Sequence, residues 1–190
     1  MNANTLEANL SNLLKAIDLC IQNKLILPGL ILMYCTVDTL GWLDTDDPKA
    51  SVKKRFTGWV DTYLLPMGNF KFTSLELYAA RCGLAHTYTP DSDLFKKGRV
   101  RRISYTWGNA KVEDLNDAIN VLGSKTDVAV HVSELYNALD SAVRRFQEDV
   151  EKEPGRARRV YERASHFFDP LPKEMVEKVA KLRRDDVGNV

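Results

Sequence analysis

The stretch Leu25–Val37, LILPGLILMYCTV, does most to limit what this chain can fold into. It is apolar on every face, about 13 residues long, and interrupted by Pro28-Gly29. A bilayer crossing needs roughly 20 residues, so the run is too short to be one. A segment with no polar face has to be wrapped by other elements. It therefore predicts a buried central helix with Pro28 in its first turn and its end near Thr39. The N-terminal MNANTLEANLSNLLK has no basic stretch leading into an apolar core, so no signal peptide is expected. Cys20, Cys35 and Cys82 are widely spaced and odd in number, which is neither a disulfide framework nor a zinc pattern. The expectation is a soluble cytoplasmic protein in a reducing compartment, with no membrane association.

The wrapping is legible as further helices. Leu6, Leu10, Leu13, Leu14, Ile17 and Ile21 fall at three-and-four spacing behind Asn4 or Thr5 as cap. Gly41–Pro48 reads as a turn-rich loop. A third helix spans 50–65 on Val52, Phe56, Trp59, Val60 and Tyr63. A fourth begins at Thr73 or Ser74, buries Leu75, Leu77, Tyr78 and Cys82, and fades between Gly83 and Thr89 before Pro90. Two β-like runs follow, at 99–107 and 127–132, with a short helix between them on Val112, Leu115, Ile119 and Leu122. A long helix is predicted over 133–152, another over 156–168, a hinge over 169–172 and a last helix over 173–184, with fraying in the final residues. The fold class is mainly α, an up-and-down helical bundle with a small two-stranded β insert. With 190 residues, the division is a helical domain over 1–152, its insert near 96–132, and a helical extension over 153–190 that packs on the bundle.

The fourth helix ends in Arg81-Cys82-Gly83-Leu84-Ala85-His86. In an unbroken helix, side chains five residues apart project roughly 140° apart. A last turn loosened at Gly83 would swing His86 back toward Arg81. Histidine titrates near neutrality and can take or give a proton. Arginine stays charged and offers a fork of donors to phosphate oxygens. The pair is therefore a minimal kit for cleaving RNA without a metal, where the neighbouring 2′-hydroxyl attacks phosphorus. One copy supplies one proton-transfer group, so two copies would supply both an acid and a base. The same residues can also serve only as cations opposing the negative end of a helix dipole.

An Arg, four intervening residues and a His near the end of a helix in an all-α bundle resemble the HEPN superfamily, and Thr87-Tyr88 reinforce the likeness. The resemblance covers about residues 5–152. It implies a HEPN-like bundle, metal-independent endoribonuclease activity, Arg81 and His86 as catalytic residues, no cofactor, and a homodimer that joins two motifs in one cleft. It also implies a defence or toxin setting with an antitoxin or other protein partner. Cys82 departs from the polar residue that commonly follows the Arg in active members. The alternative of the same fold is a non-catalytic module that binds RNA or nucleotide or dimerises. An unrelated helical protein in which the motif is coincidence stands as the third reading.

Lys96, Lys97, Arg99, Arg101 and Arg102 place five cations within seven residues just after the motif. They read as an RNA-binding segment, with Tyr105 and Trp107 near enough to stack on bases. The contrary reading is a solvated basic loop entering an edge strand, and alternation puts Arg102 on the opposite face from Arg99 and Arg101. Overall charge offers no help, with 27 Lys and Arg against 26 Asp and Glu. The second basic region, Arg144-Arg145 and Arg156 to Arg163, is interleaved with acids and reads as surface ion pairs. His131 and His166 have no metal-spaced partner, so no metal is expected. The glycines are scattered, which removes nucleotide-triphosphatase and Rossmann readings.

Overall fold

The computed structural model describes residues 3–167 and 173–187. Among these the chain is mainly helical, with one small two-stranded parallel sheet. The first helix, α1 (Ala3–Gln22), already includes Asn4 and Thr5, so neither caps it. It buries Leu6, Leu10 and Ile17 against its neighbours. The apolar segment becomes α2 (Ile26–Asp44), which runs past Thr39 and takes in Gly41, Trp42 and Leu43 as helix rather than loop. Its length and apolarity would let it cross a bilayer, and half of its most apolar window is buried within the fold.

Two long-range contacts explain the longer helix. A Cβ on Gly41 would sit 2.7 Å from the Arg55 carbonyl oxygen, so only glycine lets α3 (Val52–Trp59) cross α2 so closely. Beyond the crossing, the last carbonyls of α2 are taken by arginines from α8 (Pro154–Ala164). Arg163 Nη1 lies 2.7 Å from the Trp42 carbonyl and 2.6 Å from that of Thr45, while Arg159 Nη2 reaches the Asp44 carbonyl at 3.2 Å. Cations at a helix C-terminus meet both its orphan acceptors and its dipole. Arg156 adds ionic contact to the Asp44 carboxylate and donates to the Tyr63 hydroxyl at 2.6 Å. Three of the four arginines of α8 thus tie it to the bundle, while Arg144 and Arg145 of the same basic region form the expected surface pairs with Asp140 and Asp149.

α3 is capped by Ser51 and continues as a π-helical turn over Val60–Leu64 and a 3-10 turn over Leu65–Met67. Trp59, Tyr63 and Phe146 stack edge to face there, joining it to α7 (Val132–Lys152). α4 (Ser74–Thr87) is closed at its start by a reciprocal capping box between Thr73 and Glu76. A short helical turn, α5 (Asp93–Lys96), leads to β1 (Arg102–Thr106). The crossover helix α6 (Val112–Val121) returns the chain so that β2 (Asp127–His131) pairs parallel with β1, Arg102 opposite Asp127. The strands are shorter than the alternating runs at 99–107 and 127–132, and their parallel pairing follows from the connecting helix.

The insert is fastened to the bundle at one point and braced within itself at another. The hydroxyls of Tyr34 in α2 and Tyr105 in β1 bond each other, and burial pushes both phenols well above their ordinary range. Tyr105 is half-buried with its hydroxyl committed to Tyr34, whereas Trp107 is exposed. At the strand edge, Asp127 accepts from Arg102, Ser104 and Ser124. Burial alone would raise its pKa, yet these donors hold it down at about 2.

α7 begins at Val132, one residue before the expected 133, with His131 as its cap. The Nδ1 of His131 accepts the Ser133 N–H at 3.1 Å, which leaves Nε2 to donate to the Gly108 carbonyl at 3.2 Å. Pro154 does not only end α7 but starts α8. α8 stops at Ala164, short of the expected 168, and buries Val160 and Ala164. The hinge expected at 169–172 lies outside the described residues. α9 (Lys173–Val187) continues beyond 184 through 185–187, where fraying is expected, and the rest of that expectation, 188–190, lies outside the described residues.

Candidate functional site

The chemistry-bearing end of α4 does not loosen. The helix runs unbroken through Gly83 to Thr87 and is closed by Tyr88 in the left-handed region, φ 55°. A Cβ on Gly83 would meet the Thr89 carbonyl at 2.5 Å, so the glycine serves to let the following loop lie on the helix rather than to fray it. The Thr87 hydroxyl donates to the Gly83 carbonyl and bonds the Thr89 hydroxyl, both at 2.8 Å.

Arg81 and His86 nevertheless meet. Arg81 Nη1 lies 3.2 Å from His86 Nε2. The length of the arginine side chain spans the angular gap that the intact helix leaves. A guanidinium only donates, so Nε2 is the acceptor, and in neutral His86 the ring proton sits on Nδ1. His86 is exposed.

The sequence reading missed the residue that holds Arg81. Asp38 on α2 takes both Arg81 Nε and Nη2 on its Oδ2, each at 2.5 Å. The two side chains are 20% and 19% exposed. Burial pushes the Asp38 carboxyl above its ordinary range, and Arg81, Arg55 and His86 only partly offset this. For Arg81 burial works against the charge, but Asp38 outweighs it and the guanidinium is held more firmly protonated. The second carboxylate oxygen, Oδ1, is buried with no partner among the described residues. A retained, poorly solvated carboxylate next to an arginine is an arrangement common at functional sites. The signal was present: Asp38 is the single charged residue between Leu25 and Leu43.

Cys35 and Cys82 flank this group. Burial pushes the Cys35 thiol up, Asp38 adds to it and Arg81 opposes. Burial likewise raises the Tyr78 phenol, and neighbouring Cys82 adds to it. Beside His86 opens a cavity of about 360 Å³, walled by Tyr78, Cys82, Gly83 and Leu94, with Lys96 at its edge.

The five basic residues after the motif do not form one surface. Arg101 gives Nε and Nη2 to the Glu76 carboxylate at 2.7 and 3.0 Å, and Arg102 is held by Asp127 and Asp91. Lys97 and Arg99 are exposed and, among the described residues, without ion pairs, as is Lys96. No group of three or more His, Cys, Asp or Glu among the described residues is placed to hold a metal ion.

Compared with known proteins, the chain matches no family model, no curated protein and no solved structure.

Proposed function

We propose that this chain is a metal-independent endoribonuclease of the HEPN type, cytoplasmic, acting as a homodimer in a defence or toxin setting with an antitoxin or other protein partner. The observation that carries the reading is the Asp38–Arg81–His86 chain of contacts at the end of α4. Its parts match the needs of RNA transesterification. Arg81 stays charged and is aimed by Asp38, so it meets a phosphate without first having to be ordered. His86 presents an imidazole to solvent, where a strand can reach it. The 2′-oxygen bonds to phosphorus as the 5′-oxygen leaves; one base takes the 2′-hydroxyl proton and one acid protonates the leaving oxygen. His86 serves one of these steps and the imidazole of a second copy the other. Lys96, Lys97 and Arg99 supply phosphate contacts along the strand, while Arg101 and Arg102 shape the loop that carries them.

The engagement of Arg81 by Asp38 also favours the non-catalytic module of the same fold, since a guanidinium so held can be structural. Product chemistry separates the two. Mixed-sequence RNA incubated with the protein in excess chelator should be cut, leaving 2′,3′-cyclic phosphate and 5′-hydroxyl ends. RNA bound but left intact would assign the non-catalytic role.

A further inference from the structure

Resting on the RNA-cleaving reading, we infer that the cavity beside His86 receives the base of the nucleotide whose 2′-hydroxyl attacks, and that it selects guanine. About 360 Å³ lies within the range of small-ligand sites. The exposed wall is largely apolar, with Tyr78, Cys82 and Leu94 contributing most of that character. It suits the faces of a planar ring. The cavity is also preformed, because the loop after Tyr88 is pressed on Gly83 and tied through Thr87 and Thr89. His86 belongs both to the cavity wall and to the Arg81 contact, so a base seated there has its own 3′-phosphate next to the reacting groups.

The polar lining decides which base. Two carboxylates border the cavity. Asp91 is engaged by Arg102 at 3.3 Å, whereas Asp93 is exposed and has no side-chain partner among the described residues. An ionised carboxylate accepts and does not donate. Single-stranded RNA offers its Watson–Crick edges to such groups. Guanine places two adjacent donors, N1–H and the N2 amino group, opposite the two oxygens. Adenine and cytosine offer one amino donor beside a ring acceptor, and uracil one donor between two carbonyls. Asp93 therefore reads the guanine edge while Lys96 and His86 meet the phosphate side.

The test measures binding of the four nucleoside 3′-monophosphates to the full chain by calorimetry, alongside the mapped cuts in mixed-sequence RNA. Guanosine 3′-monophosphate should bind about ten-fold more tightly than the uridine compound. Asp93→Asn, a change at an exposed side chain, should reduce that preference to about three-fold or less. Cys82→Phe, which fills the cavity, should remove it. Equal affinities for all four nucleotides, or a guanosine preference untouched by Asp93→Asn, would overturn the subsite, and RNA cutting would still stand. A guanosine preference in a protein that cuts no RNA would keep the subsite and overturn the cleavage reading.

Discussion

His86→Ala lowers RNA cleavage by about two to four orders of magnitude, the usual worth of a positioned proton-transfer group. Arg81→Ala falls in the same range, because the guanidinium is both the phosphate contact and the partner of the ring nitrogen. The double variant is no worse than about the poorer single one, since residues acting as a unit do not lose activity additively. Single-turnover cleavage of one RNA by the four proteins checks this. Asp38→Asn belongs in the same series with a smaller effect, about ten- to a hundred-fold and on kcat more than KM. It leaves phosphate contact to Arg81 but frees the arginine from its fixed orientation. If cleavage survived both His86→Ala and Arg81→Ala, the site would lie elsewhere.

The largest stability effect is expected at Glu76, which is remote from chemistry but central to the loop that follows it. Its side chain is 7% exposed. It accepts the Thr73 N–H at 2.8 Å to close the capping box, and it holds Arg101 through both the backbone N–H and the guanidinium. Burial would raise its pKa, yet Arg101 and these backbone donors outweigh burial and lower it. Glu76→Ala leaves the Thr73 cap but removes the reciprocal half of the capping box, and it strips Arg101 of its carboxylate, so a loss of about 3 kcal/mol is expected. For a chain of this size that is a fall in Tm of roughly 6–12 °C. Glu76→Gln, which keeps acceptors for the cap, should cost less.

The pH dependence follows from the same contacts. A carboxylate with a lowered folded pKa stabilises above its unfolded range, and that stability is lost as the pH falls through the folded value. Glu76 contributes fully above the ordinary glutamate range and loses that contribution in this way below it. Asp127 does so over the interval down to about pH 2. Thermal melts from pH 7 downward should show the wild type losing more stability than Glu76→Gln.

Much of the architecture could be read from periodicity, and most of the misreadings share one cause. The helices α1 and α7 bury one stripe each, and three-and-four spacing shows such stripes. α4 departs from its expected stripe: of Leu75, Leu77, Tyr78 and Cys82 only Leu77 is buried, and Ala79, Ala80 and Gly83, small residues that carry little hydrophobic signal, are buried with Leu84 instead. The end of α2 could not be read, because Gly41 and Asp44 look like loop residues until Arg55 crosses at the glycine and Arg159 and Arg163 cover the last carbonyls. Those partners come from other helices, far along the chain. The same holds for Arg101 and Arg102, which read as free cations until Glu76 and Asp127 are brought to them. In the site, the motif located Arg81 and His86 by residue type, but the mechanism of their approach was misjudged: the arginine reaches and the helix stays whole. Asp38 was legible in principle as a lone carboxylate in an apolar helix. Such a residue is costly to bury unless something holds it, and that cost was the missing inference.

The central claim is that these groups use the substrate's own 2′-hydroxyl. The most direct measurement uses DNA oligonucleotides that carry a single ribonucleotide, each of the four bases in turn, incubated in excess chelator with the wild type and with the Arg81→Ala/His86→Ala variant. The account predicts one cut, immediately 3′ of the ribonucleotide, made by the wild type alone. Cuts between deoxynucleotides, or the same cut made by the double variant, would contradict it.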